Sequence, residues 1–112
     1  MSEYLYVFRG GQDMNKASAA DKQANMAKWQ GWIKGLAEKG ISKGGQPLDG
    51  TGKVLRGRGK TVTDGPYAEA KDVIGGYLIV NAKSLDEAAE HARGCPIFDH
   101  DGSVEVRAIL AM

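Results

Sequence analysis

In two stretches of the chain, apolar residues would occupy both faces of an extended strand. Residues 4–8 and 73–80 are rich in aromatic and aliphatic side chains, and glycines bound or interrupt both runs. Runs of this kind predict central β-strands, covered on both faces. Alternating apolar residues at 104–110 predict a half-buried final strand, and residues 41–48 predict a short strand that Pro47 ends.

Two other stretches have the spacing of amphipathic helices. Residues 18–39 predict the first helix, and its apolar residues recur every three or four positions: Met26, Trp29, Ile33 and Leu36. Trp32 lies off this stripe, so we expect it to be partly exposed. Ser84 and Glu87 form a capping box that opens a second helix, and Gly94 signals its end.

The order of these elements predicts the fold class. Residues 49–63 contain two short β-branched runs around glycine-rich turns, which predicts an inserted hairpin. The order is then β-α-β, a hairpin, and β-α-β. It predicts one α+β domain over residues 1–112, a ferredoxin-like βαββαβ sandwich with both helices on one face of the sheet. The other face would expose apolar area, and we expect a homodimer to cover it.

Composition excludes several classes of protein. The chain has 112 residues, of which 42% are apolar and 26% charged, and this is typical of one soluble globular domain. A net charge of +1 is unlike the strongly basic balance of a nucleic-acid-binding protein. No run has the length of a membrane span, and the N-terminus lacks the pattern of a signal peptide. Because Cys95 is the single cysteine, an internal disulfide is excluded, and we predict a cytoplasmic protein.

Candidate ligand-binding residues follow the predicted hairpin. The sequence Asp64-Gly65-Pro66 is typical of a turn, so a purely structural role is enough to explain these residues. Alternatively, this loop borders a pocket and offers polar side chains to a small ligand. The candidates are Asp64, Tyr67, Glu69 and Lys71. The glycine pairs of the chain match no nucleotide-binding motif, so no cofactor is predicted.

The two histidines have simple structural explanations. His91 lies four residues before Cys95, and the two could act as base and nucleophile only if the helix continued through both. His100 stands between Asp99 and Asp101, but consecutive residues rarely converge on one metal ion without further ligands. A solvated loop is the simpler interpretation, and no metal site is predicted.

The most specific string in the chain runs from Asp64 to Lys71 and continues into Ile74-Gly75-Gly76-Tyr77. It resembles the YCII-related family, in particular its DGPF-motif branch, with Tyr67 where the motif has Phe. The resemblance continues through residues 84–88, 95–96 and 102–107. It implies a ferredoxin-like fold that pairs into a dimeric α/β barrel. Some members of this branch are associated with extracytoplasmic-function sigma factors.

The broader family carries a proposed acid–base pair, which this sequence lacks. Trp29 stands where the family has a His on the first helix, and Cys95 stands where it has an Asp directly before a Pro. An indole cannot transfer protons near neutral pH, so this chemistry does not carry over and the catalytic residues are unknown. Trp29 either fills the former pocket or offers a flat surface to a ligand, with Cys95 on the opposite wall.

These observations predict a small homodimeric protein with a pocket for a small molecule, acting by binding or as a weak enzyme. The alternative is a regulatory interaction domain, without chemistry of its own, that associates with an extracytoplasmic-function sigma factor. An enzyme like the monooxygenases that share the dimeric barrel would rest on fold analogy alone.

Overall fold

The computed structural model describes residues 1–13, 16–65 and 72–112. Its elements are β1 (Ser2–Arg9), α1 (Ala19–Glu38), β2 (Ser42–Pro47), β3 (Gly52–Arg56), β4 (Thr61–Gly65), β5 (Ile74–Ala82), α2 (Leu85–Ala92), a 3₁₀ helix (Pro96–His100) and β6 (Ser103–Ala108). The predicted α+β class and the predicted order of elements are confirmed. The 3₁₀ helix was not predicted, because the sequence around His100 indicated a polar loop. Within the described ranges, no helix is long and apolar enough to cross a membrane.

Four strands form one antiparallel sheet in the order β2-β5-β1-β6. The two strands that the sequence predicted to be central, β1 and β5, occupy the two interior positions. Their register pairs Tyr4 with Val80 and Tyr6 with Leu78. The β3–β4 hairpin forms a separate two-stranded sheet. The described residues therefore form one main sheet, two α-helices, one 3₁₀ helix and a hairpin outside the sheet.

The hydrophobic core lies between one face of the main sheet and the two helices. Side chains alternate between the faces of a strand, and on β1 this places three aromatic rings on the helix side: Tyr4, Tyr6 and Phe8. Leu36 of α1 and the small residues Ala88 and Ala92 of α2 pack against them. Tyr6 is fully buried, and its hydroxyl donates a hydrogen bond to the carbonyl oxygen of Ala88. Both helices thus pack on the same face of the sheet.

The buried face of α1 differs from the predicted stripe. Trp29 and Leu36 pack against the core as expected, but the prediction was wrong for Met26 and Ile33, which are 60% and 36% exposed. Trp32 packs against the core in their place and stays partly exposed, as predicted. Two indoles carry more apolar area than the Met and Ile side chains, so burying the indoles favours this rotation of the helix.

The other side of the main sheet carries a second set of apolar residues, called here the outer sheet face: Leu5, Val7, Tyr77 and Ile79. Val7 pairs with Tyr77 and Leu5 pairs with Ile79 in the β1–β5 ladder. Val7 is buried and the other three are half-buried. At one end of this face, Arg9 of β1 forms an ion pair with Glu105 of β6 at 2.5 Å.

Candidate functional site

Trp29 lies in a cluster of four aromatic rings between β1 and α1. Its indole meets the ring of Phe8 edge-on, with 5.0 Å between centroids, and meets Trp32 at 5.8 Å. Trp32 in turn stacks on Tyr6 at 6.3 Å and an angle of 17°. The indole is therefore one member of a packed cluster. This arrangement favours the interpretation in which Trp29 fills space as part of the core.

Cys95 is buried next to the same cluster. It caps the 3₁₀ helix and is 3% exposed. Burial raises the pKa of the Cys95 thiol to about 11. A hydrogen bond with the backbone of Ile97 lowers this pKa, and the nearby Asp99 carboxylate raises it by a smaller amount. Burial is also the main reason why the pKa of Tyr6 is raised to about 12. Both groups are protonated at neutral pH, so Cys95 is not activated as a nucleophile.

The histidines are not brought into a catalytic or metal-binding cluster. His91 lies on α2, where its Nε2 atom is 3.5 Å from the carboxylate of Glu87. The helix ends at Ala92, before Cys95, so the two residues do not share a helical face. Over the ranges 1–13, 16–65 and 72–112, no group of three or more His, Cys, Asp or Glu side chains could hold a metal ion.

The loop candidates are only partly placed. Asp64 lies at the end of β4, opposite Lys53 of β3, and its carboxylate accepts a hydrogen bond from the Lys53 ammonium. Both side chains are largely exposed, so this cross-strand ion pair adds little to stability. Tyr67, Glu69 and Lys71 lie outside the described residues. A role of residues 64–71 in ligand binding stays a prediction.

A pocket that the sequence did not predict lies beside the first half of α1. It has a volume of about 440 Å³ and is called here the polar pocket. The chain between β1 and α1 supplies Gln12, the helix supplies Asn25 and Lys28, and the 3₁₀ helix supplies His100. The 3₁₀ helix, which is distant in the sequence, therefore meets α1 and the chain that leads into α1 at this point.

Tight backbone contacts position these three segments. Gly10 and Gly11 have positive φ angles of 77° and 99°, which glycine adopts without strain, and they turn the chain out of β1 towards Gln12. A Cβ atom on Gly102 would lie 2.8 Å from the backbone nitrogen of Gly11, so a larger residue would separate the two. Lys28 donates a hydrogen bond to Asp99 at 3.2 Å, which connects α1 to the 3₁₀ helix.

Two side-chain oxygens in the polar pocket are buried and lack a hydrogen-bond partner among the described residues. They are Oε1 of Gln12 and Oδ1 of Asn25. Each oxygen has almost no accessible surface, so the neighbouring atoms enclose it and a molecule in the pocket cannot contact it. Other polar side chains line the pocket, among them Lys16, Lys28 and His100, and these can form hydrogen bonds with a bound molecule. The signal in the sequence is that Asn25 lies four residues before Trp29, on the face of α1 that is buried.

Comparisons with known proteins give a family and a fold. The family model of the YCII-related domain matches residues 7–112. No curated protein sequence matches the chain. Among solved structures, the chain is similar to 5-chloro-2-hydroxyhydroquinone dehydrochlorinase from Burkholderia phenoliruptrix AC1100, in complex with 2,5-dihydroxybenzoquinone. The TM-score is 0.53 at 19% identity, over 97% of this chain and 95% of that chain. At this identity the likeness shows the fold alone.

Proposed function

Because the chain belongs to the YCII-related domain family, we propose that it is a homodimeric protein that binds a small molecule in the polar pocket. The observation that carries the proposal is the pocket itself, which polar side chains from the first helix, the chain before it and the 3₁₀ helix line together. A volume of about 440 Å³ lies in the range of small-molecule sites. The dehydrochlorinase of similar fold, bound to a small quinone, supports a role of this kind.

The proposed role is binding, or weak catalysis by residues other than the family's proposed acid–base pair. The aromatic contacts of Trp29 and the raised pKa of Cys95 support this part of the proposal. Neither residue can exchange a proton with a substrate near neutral pH. Residues 64–71 remain candidates for a further contact with the ligand.

The proposed homodimer forms when the outer sheet faces of two copies meet. Each copy would contribute a ferredoxin-like unit, and the pair would close into a dimeric α/β barrel. The strand order and the position of both helices on the opposite face support this arrangement. We place the chain in the DGPF branch of the family on the string Asp64-Gly65-Pro66. A cytoplasmic location, where the Cys95 thiol stays reduced, completes the proposal.

The binding function is tested on the purified full chain. Native mass spectrometry would detect a compound that co-purifies, and thermal unfolding would detect stabilisation by compounds added in a screen. Asn25→Leu should weaken both effects, because it replaces a polar residue of the pocket lining by an apolar one. Gln23→Leu is the matched control, since Gln23 is an exposed residue of the same helix. If no compound co-purifies or stabilises the protein, or if both variants lose binding equally, the proposed site is wrong.

The alternative function is a regulatory interaction domain for an extracytoplasmic-function sigma factor. The β3–β4 hairpin favours it, because Leu55 and Val62 are exposed there beside the basic residues Arg58 and Lys60. An apolar surface bordered by charge is typical of a protein interface. A sigma factor should then bind the wild-type protein and not Leu55→Ser, while the polar-pocket variants would bind it normally.

A further inference from the structure

The β3–β4 hairpin stands apart from the rest of the described chain. Its two strands pair with each other and with no other strand of the described ranges. Among the described residues, neither strand has an extensive contact with a helix or with the main sheet. A two-stranded hairpin by itself is at best marginally stable in water, so this one gains from a surface to pack against.

We propose, building on the proposed homodimer, that this surface is a second copy of the chain. The basic tip of the hairpin, Arg58 and Lys60, contacts the acidic segment of that copy, which is defined here as residues 72–112. Three observations carry the proposal: the apolar face of the hairpin, its charge, and the place where it leaves the main sheet.

One face of the hairpin carries an exposed apolar pair. Leu55 of β3 lies directly opposite Val62 of β4, so the two side chains share a face. They are 63% and 56% exposed. The Lys53–Asp64 ion pair lies two residues away on the same face. Apolar side chains with charged neighbours are typical of a protein interface.

The charges of the hairpin and the acidic segment are complementary. Residues 52–65 carry four basic side chains and one acidic side chain. Residues 72–112 carry seven acidic side chains and three Lys or Arg side chains. At the tip, Arg58 and Lys60 are exposed, and neither forms an ion pair with another described residue. In a symmetric dimer each copy supplies one basic tip and one acidic segment, so the same contact forms twice.

The hairpin begins beside the outer sheet face. β2 ends at Pro47, which pairs with Gly76 of β5, next to Tyr77 of that face. β5 begins at Ile74, so the chain returns from the hairpin at the same end of the sheet. When two outer sheet faces meet, the hairpin of each copy starts at the border of the contact. This position favours a second copy as its partner, because the hairpin would then extend the same interface.

Cross-linking of the purified full chain tests whether the contact is between copies. Copies with natural and heavy nitrogen isotopes are mixed and allowed to exchange, and a carbodiimide then joins lysine amines to carboxylates in contact with them. We expect Lys60 to be joined to carboxylates of the acidic segment in products that carry both isotopes. Lys60→Arg is the matched control. It keeps the charge and removes the reactive amine, so the dimer should persist and these products should disappear.

Charge reversal tests whether the basic tip stabilises the dimer. Arg58→Glu combined with Lys60→Glu should raise the dimer dissociation constant by about tenfold or more at low salt, because it places like charges opposite the acidic segment. Lys34→Glu combined with Lys39→Glu is the control, since it makes the same change in net charge at exposed positions at the end of α1. The control should change the constant by less than about twofold. Sedimentation velocity over a dilution series measures both.

The outcomes separate this inference from the proposed homodimer. If the wild type is a dimer but Lys60 is joined to carboxylates only within one copy, the hairpin contact is wrong and the homodimer stands. The same holds if charge reversal at the tip weakens the dimer no more than the control does, or if a sigma factor occupies the hairpin while the dimer stays intact. If the wild type is a monomer at micromolar concentration, the hairpin contact and the homodimer both fail.

Discussion

At position 29, an indole stands where the family resemblance expects an imidazole, and its neighbours explain what it does there. The ring is in contact with Phe8 and Trp32 and takes part in the core. The question raised by the sequence was whether this ring fills space or borders it. The edge-on contacts with two other rings favour filling, because such pairs add to the energy of burial.

Replacing Trp29 by Ala should therefore lower the free energy of unfolding by about 3 kcal/mol, since it opens a void beside Phe8 and Trp32. Met26→Ala is the matched control on the same helix, and it should cost under about 0.5 kcal/mol because Met26 is exposed. Urea unfolding followed by circular dichroism measures both. Equal effects of the two substitutions would show that the Trp29 ring borders open space.

Cys95 should make the stability of the protein sensitive to alkaline pH. Its pKa is raised from 9.0 to about 11 in the folded state. A raised pKa contributes stability that is complete below the unfolded value and is lost as the pH rises through the folded value. Cys95→Ala should thus reduce the fall in the urea midpoint between pH 9 and 11. The fall that remains in the variant comes from Tyr6, whose pKa is raised from 10.0 to about 12 and which therefore loses its contribution between pH 10 and 12. An unchanged slope in the variant would contradict the assignment to Cys95.

At the scale of elements, glycines decide how closely β2 and β5 pair. A Cβ atom on Gly45 would lie 2.0 Å from the carbonyl oxygen of Tyr77 and 2.7 Å from the Cα atom of Leu78. Both of these atoms belong to the backbone of β5, which cannot move away without breaking the ladder. Gly45 is thus required by the close pairing of β2 with β5. This packing explains the glycine pair Gly44-Gly45 without a nucleotide-binding loop.

Gly45→Ala should destabilise the protein strongly, by several kcal/mol, because the clash is with backbone atoms. Gly31→Ala should have the opposite sign and stabilise by about 0.5–1 kcal/mol, since Gly31 lies inside α1 with open space around it. Thermal unfolding of the two variants gives the comparison. A neutral Gly45→Ala variant would show that β2 does not pair with β5 as closely as described.

At the scale of the whole molecule, the outer sheet face is the surface proposed to bind a second copy of the chain. It joins apolar residues of β1 and β5 that neither helix covers. A stable interface of this kind should bury more than roughly 1,200 Å² in total. The proposed homodimer covers this face with a symmetric contact.

Ile79→Lys should convert the dimer into a monomer, because it places two charges in the centre of the proposed interface. Met26→Lys is the control, since it adds the same charge to an exposed apolar position on α1. Sedimentation velocity at micromolar concentration distinguishes the two species. A wild-type protein that is monomeric under these conditions would refute the dimer. If only Met26→Lys formed a monomer, the interface would lie on α1 and not on the outer sheet face.

Sequence alone predicted the elements of the fold and their order, because these depend on local patterns. The apolar run at residues 4–8, the helical spacing after Ser18 and the capping box at Ser84 act over short distances and appear at the expected places. The interpretation that Trp29 and Cys95 replace the family's proposed acid–base residues also comes from the sequence alone, through the family resemblance.

Tertiary structure decided which side of α1 is buried and where a ligand could bind. The helix can turn either Met26 or Trp32 towards the sheet, and the aromatic rings of β1 favour Trp32 because they stack with it. The polar pocket needs Gln12, Asn25 and His100 together, and these residues come from three separate segments. Their meeting depends on the packing of α1 and the 3₁₀ helix around the end of β1, which no local pattern of residues encodes.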